Sequence, residues 1–125
     1  MMILLTGATG YIGSHTWVEL LNAGHQVLGI DNLCNSSAAV VQRIEKITGK
    51  EALFIEGDVR DETFLTKIFT DHSISLVVHF AALKAVGESV EKPLLYFQNN
   101  MQSLINVMQC IEDFQIPQFV FSSSC

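Results

Sequence analysis

Gly7, Gly10 and Gly13 recur every third position in G-A-T-G-Y-I-G, directly after the apolar run Met2 to Thr6. Small residues at that spacing bare a backbone. Gly7 permits a tight turn out of a strand, Gly10 lets the chain approach a diphosphate without a Cβ in the way, and Gly13 lets a following helix lie close to the sheet. A helix starting there offers free N–H groups and a partial positive charge to phosphates. Asp31 ends the next apolar run, Gln26 to Ile30. Its carboxylate can accept hydrogen bonds from the hydroxyls of an adenosine ribose; an ordinary turn-forming aspartate is the plainer alternative. Strand, glycine loop, helix and acid in that order form the context that dinucleotide binding requires. The carboxylate would repel a 2′-phosphate, and the residues that follow, Asn32, Leu33, Cys34 and Asn35, include no arginine. NAD is therefore expected over NADP.

Other polar residues also fall at the ends of apolar runs. The run Ser75 to Phe80 continues into Ala81, Ala82, Leu83 and Lys84. Small residues there let the backbone pass beside the middle of a cofactor, and Lys84 could supply a cation near a ribose or phosphate, or be a surface lysine. Asn99 and Asn100 interrupt a helical pattern although asparagine is a poor helix former. Asn99 could face the sheet and tie the preceding loop in place, or the pair could face solvent. The run Gln118 to Ser122 leads to Ser124, whose hydroxyl would face a nicotinamide and a substrate; Ser122 and Ser123 could serve only as strand-end hydrogen bonders.

These positions need a particular scaffold. Strands are expected at Met2 to Thr6, Gln26 to Ile30, Ala52 to Glu56, Ser75 to Phe80 and Gln118 to Ser122. Helices are expected at Ile12 to Ala23, closed by Gly24; at about Ser37 to Thr48, closed by Gly49; at Asp61 to about Asp71; and from Pro93 to about Phe114. The last helix carries an apolar stripe at helical spacing: Phe97, Met101, Leu104, Ile105, Met108 and Ile111. Strand–helix alternation gives right-handed crossovers and a parallel sheet. The fold class is α/β, a doubly wound Rossmann-type parallel sheet of order 3-2-1-4-5, with the ligand crevice at the strand ends where the order reverses.

Composition excludes several classes. A chain of 125 residues is about one domain, and 49% hydrophobic against 16% charged residues argues for a core and against disorder. Buried parallel strands, apolar on both faces, account for that apolarity. No apolar run approaches the roughly 18 residues that cross a bilayer, and Met1 to Leu5 lacks the basic start of a signal peptide. With a net charge of −6 and scattered cations, the chain is a poor nucleic-acid binder. An anionic ligand must then be held more by backbone dipoles than by side-chain charge. Cys34, Cys110 and Cys125 show no paired spacing, which fits a reducing cytoplasm. His15, His25, His72 and His79 lack metal-ligand spacing and are expected to be structural or exposed.

The G-x-x-G-x-x-G spacing resembles the extended short-chain dehydrogenase/reductase superfamily. Further segments narrow the resemblance to the UDP-glucose 4-epimerase family: T-G-A-T-G-Y-I-G-S-H (6–15), D-N-L-C-N-S (31–36), E-G-D-V-R (56–60), H-F-A-A-L-K-A-V-G-E-S-V (79–90), K-P-L-L-Y-F-Q-N-N (92–100) and F-S-S-S (121–124). The resemblance implies an NAD-binding domain followed by a smaller substrate domain, this chain being about the first third, truncated before the later strands. It implies that bound NAD takes hydride from C4 of a UDP-sugar and returns it to the other face. It implies a homodimer for the full-length protein, formed through the long helix.

Carried over by position, Tyr11 and Ile12 touch the diphosphate, Asp31 to Ser36 hold the adenosine ribose and nearby phosphate, and Asp58 and Val59 hold adenine. In that last pair the acid meets the exocyclic amine and the apolar residue packs on the ring; Asp58 could instead cap the helix beginning near Asp61. Phe80, Ala81, Ala82, Leu83, Lys84 and Asn99 line the cofactor, and Ser124 bonds the sugar hydroxyl. Two departures stand out. The family's Tyr-x-x-x-Lys pair is absent, since Tyr11 is followed four on by His15 and Tyr96 by Asn100. Cys125 stands where alanine is usual. General acid–base catalysis contributes roughly 10²–10⁴-fold, so this chain alone is expected to be inactive. It is also expected to self-associate through an open fifth strand and a thinly covered long helix. A nucleotide-sugar 4,6-dehydratase and a non-catalytic NAD-binding sensor or scaffold are the alternatives.

Overall fold

The computed structural model describes residues 2–33, 37–80 and 93–121, excepting the side chains at 96, 97 and 99. The elements run β1 (Met2–Thr6), α1 (Tyr11–Asn22), β2 (Gln26–Asp31), α2 (Ala39–Thr48), β3 (Leu53–Glu56), α3 (Glu62–Asp71), β4 (Ile74–His79), α4 (Pro93–Asp113) and β5 (Gln118–Phe121). All strand pairs are parallel, in the order β3-β2-β1-β4-β5, as the alternation of elements implies. Chain direction reverses its winding between β1 and β4, so a crevice opens beyond the C-terminal ends of these two strands.

Strand periodicity separates two cores. Leu4, Leu28, Ile30 and Val77 face Leu65, Ile68 and Phe69 of α3 and Val107 and Cys110 of α4. Ile3, Leu5, Val27 and Val78 face the opposite way, onto Trp17 and Leu21 of α1 and Ile44 of α2. Successive residues of β1 thus serve opposite layers, which is why the strand is apolar throughout. Trp17 explains a glycine inside β2: a Cβ at Gly29 would lie 2.5 Å from the Trp17 ring. Helix ends follow local chemistry. Asp61 caps α3, its carboxylate accepting from Phe64 N at 3.2 Å. Helices α1 and α2 end where Gly24 and Gly49 take φ of +90° and +66°.

Much of the apolar stripe of α4 faces away from the core. Among the described side chains of α4 the buried ones are Ser103, Asn106, Val107 and Cys110, while Met101, Ile105 and Met108 are 40%, 54% and 45% exposed. Leu104 and Ile111 lie at the boundary, half-buried; Phe97 is outside the described side chains. The reason lies in what α4 packs on. Its inner face meets α3 and the backbone of the β3–α3 connection, where small and hydrogen-bonding side chains fit. Among the described residues, no helix is long and apolar enough to cross a membrane.

Candidate functional site

The turn leaving β1 begins with Gly7 at φ +65°, and closes with a hydrogen bond from Gly10 N to Gly7 O at 3.2 Å. Gly10 is the N-cap of α1 in extended conformation, and no side chain caps the helix. The first-turn N–H groups, which have no acceptor within a helix, therefore point out of the end of α1 toward the crevice. A Cβ on Gly13 would lie 2.1 Å from the Gly7 carbonyl oxygen, so helix and turn touch backbone to backbone. At Gly10 a Cβ would meet only that same oxygen, at 3.4 Å, and the space in front is otherwise open. The arrangement is a backbone cradle, free of side chains and open in front of Gly10. Tyr11, 81% exposed, and Ile12 stand at its rim.

Asp31 lies beside the cradle, at the end of β2. Its Oδ2 accepts from Thr9 N at 3.2 Å and its Oδ1 from Leu33 N at 2.8 Å. One carboxylate thus joins the glycine turn to the loop after β2. Leu33 takes φ +61°, a left-handed conformation that a branched side chain adopts at a cost of roughly 1–2 kcal/mol. The Asp31 hydrogen bond holds it there.

Asn32 Nδ2 reaches Asp58 Oδ2 at 3.3 Å, linking the ends of β2 and β3. Asp58 also accepts from Arg60 N at 2.9 Å and from Arg60 Nε at 3.0 Å on each carboxylate oxygen. These bonds from the Arg60 side chain, opposed by partial burial, hold the Asp58 carboxyl down at about 2, against an ordinary 3.8. Asp58 does not cap α3; Asp61 does. Val59 is 6% exposed and packs in the core with Leu65 and Ile68.

At the ends of β1 and β4, Thr6 Oγ1 and His79 Nδ1 lie 2.7 Å apart in the interior, and Phe80 N donates to Thr6 Oγ1 at 3.0 Å. The His79 ring stacks on Phe121, centroids 5.8 Å apart, so this histidine ties three strands together at the crevice. His15 and His72 bond backbone carbonyls of their own helices, Tyr11 O at 2.7 Å and Ile68 O at 3.0 Å.

Structure therefore brings Gly7, Gly10, Tyr11, Ile12, Gly13, Asp31, Asn32, Leu33, Asp58, Val59 and Phe80 to one edge of the sheet. Cys34, Asn35, Ser36, Ala81, Ala82, Leu83, Lys84 and Ser124, with the Asn99 side chain, lie outside the described residues. Two contributors escaped the sequence reading. Thr9 gives Asp31 a backbone N–H, which no residue type announces. Asn106 sits at a core position of α4 and donates to the Val59 and Arg60 carbonyls at 2.9 and 2.8 Å. Its signal was a polar residue at helical spacing from Ser103 and Cys110, hidden by the more apolar neighbouring stripe.

A doubly wound sheet with an uncapped helix at its switch point defines a nucleotide-binding fold. Residues 3–125 match the NAD dependent epimerase/dehydratase family, and the chain belongs to it. It is 52% identical over 124 residues to a UDP-glucose 4-epimerase of Klebsiella pneumoniae, covering 99% of this chain and 89% of that relative. It is 54% identical over 124 residues to the UDP-glucose 4-epimerase of Haemophilus influenzae, but spans only 37% of that protein. Among solved structures, a UDP-glucose 4-epimerase from Bifidobacterium longum in complex with NAD+ and UDP superposes with a TM-score of 0.96 at 43% identity. All of this chain and 37% of that one are covered. A UDP-glucose-4-epimerase from Stenotrophomonas maltophila with bound NAD and formylated UDP-arabinopyranose gives a TM-score of 0.95 at 46% identity, with the same coverage.

Proposed function

We propose that this chain is the NAD-binding part of a UDP-glucose 4-epimerase that interconverts UDP-glucose and UDP-galactose through a 4-keto sugar. The observation that carries the reading is the contact between Asp31 and Thr9 N, which sets a carboxylate beside an open, side-chain-free helix start. The cradle fits a dinucleotide: Gly10 leaves room for a diphosphate, the first N–H groups of α1 face it, and Asp31 stands where the adjoining ribose hydroxyls would lie. NAD, when bound, supplies the hydride acceptor and donor.

In this reading the residues of the chain bind and orient. The end of α1 neutralises the diphosphate, with Tyr11 and Ile12 at its sides. Asp31 to Ser36 hold the adenosine ribose and exclude a 2′-phosphate, while Asp58 and Val59 receive adenine. Phe80, Ala81, Ala82, Leu83, Lys84 and Asn99 line the cofactor, and Ser124 hydrogen-bonds the sugar hydroxyl. The base that removes the hydroxyl proton belongs to a Tyr-x-x-x-Lys pair that these 125 residues do not contain, so the chain by itself turns nothing over. The whole protein is cytoplasmic and pairs with a second copy through the outer face of α4, where Met101, Ile105 and Met108 are exposed.

Titration with NAD and NADP tests the reading. Wild type is expected to bind NAD more tightly, and Asp31→Ala to lose that preference. Equal weak affinity of wild type for both dinucleotides would overturn it.

A further inference from the structure

We infer that Asn106 is a positioning residue for the adenine subsite, acting from the buried face of α4 through the backbone of the β3–α3 connection; this rests on the NAD-binding reading above. Asn106 is only 4% exposed. Both hydrogens of its carboxamide are used: Nδ2 donates to Val59 O at 2.9 Å and to Arg60 O at 2.8 Å. Its Oδ1 accepts from Gln102 Nε2 at 2.8 Å, one helical turn back. That third bond orients the amide, since a flipped group would set oxygen against two carbonyls and nitrogen against a donor.

Val59 and Arg60 are the two residues that follow Asp58. Val59 O and Arg60 N belong to one peptide plane, so fixing the Val59 carbonyl fixes the N–H that Arg60 donates to Asp58 Oδ1. The carboxylate is then held from the other side by Arg60 N and Nε and by Asn32 Nδ2. A continuous polar path thus runs from α4 through the end of β3 to Asn32, the neighbour of Asp31. A carboxylate accepts from the 6-amino group of adenine and repels the 6-oxo group of hypoxanthine, and this discrimination depends on where the oxygens sit. Burying a carboxamide costs free energy unless its hydrogen bonds are made. A leucine would fill the site for packing alone, yet the position carries the one side-chain type that meets two adjacent carbonyls and an incoming donor.

The test compares the affinity of the chain for NAD and for nicotinamide hypoxanthine dinucleotide, with Asn106→Ala beside wild type. Wild type is expected to prefer NAD, and Asn106→Ala to shrink the NAD-to-hypoxanthine ratio by about fivefold, the worth of roughly one hydrogen bond. Gln102→Glu, an exposed change that leaves the core intact, is expected to shrink the ratio in the same direction and carries the comparison if Asn106→Ala fails to fold. An unchanged ratio, with both affinities kept or both lowered by one factor, overturns the inference and leaves Asn106 a packing residue. So does a wild type indifferent to the base. Failure of wild type to bind either dinucleotide instead defeats the cofactor reading itself.

Discussion

Gly10 and Gly13 stand in the same turn, yet the structure assigns them opposite liabilities. A Cβ on Gly13 would approach Gly7 O to 2.1 Å, Gly7 C to 3.0 Å and Ala8 Cα to 3.2 Å. The first contact is more than 1 Å inside the roughly 3.5 Å of ordinary contact, and every atom met is backbone. Alanine would gain about 1 kcal/mol of helix propensity in α1. Against that, overpacking costs about 1–3 kcal/mol and more where nothing can rotate aside. We expect Gly13→Ala to lose about 2 kcal/mol net, near 8 °C of Tm for a chain of this size. At Gly10 the Cβ meets one atom at 3.4 Å, and φ is −72°, which alanine adopts freely. Its small loss as an N-cap is offset by reduced freedom of the unfolded chain, and stability should stay within about 1 kcal/mol of wild type. The new methyl group would project into the cradle, so Gly10→Ala should bind NAD at least about tenfold more weakly while remaining folded. Urea or thermal unfolding and calorimetric titration read the two effects separately. A Gly13→Ala chain as stable as wild type, or a Gly10→Ala chain with full NAD affinity, would refute the geometry.

Two further outcomes follow from the β3–α3 connection. Asp58 titrates at about 2 instead of 3.8 chiefly through Arg60, so its contribution to stability is complete above about pH 4 and disappears as pH falls through about 2. Arg60→Leu should return the Asp58 carboxyl toward its ordinary range, followed by carbon NMR. It should cost about 1 kcal/mol at neutral pH, the shift being discounted for solvent exposure, with the difference from wild type vanishing in that acid window; a variant whose Asp58 still titrates near 2 contradicts the assignment. Asp61→Ala removes the only side-chain bond to the start of α3 among the described residues and should cost about 1 kcal/mol in chemical unfolding, with no change in NAD affinity.

The glycine turn, Asp31 and the order of the sheet were legible because each depends on few residues acting locally. A glycine triplet between strand and helix, an acid at the following strand end, Asp61 before α3, and Gly24 and Gly49 after α1 and α2 specify their own conformations. Strand order followed because right-handed crossovers leave few arrangements for alternating strands and helices. Asp58 and the face of α4 were different. Asp58 read as an adenine ligand or a helix cap; the structure gives the cap to Asp61 and sets Arg60 and Asn32 on the Asp58 carboxylate. Helix α4 carries apolar residues on more than one face, and its most apolar stripe includes Met101, Ile105 and Met108. The tertiary structure turned Ser103, Asn106, Val107 and Cys110 inward, because the surface waiting for α4 includes two peptide carbonyls that need donors. Periodicity reports how a helix is patterned; which stripe is buried depends on the polarity of what it meets, and that surface forms only when β3 and α3 are in place.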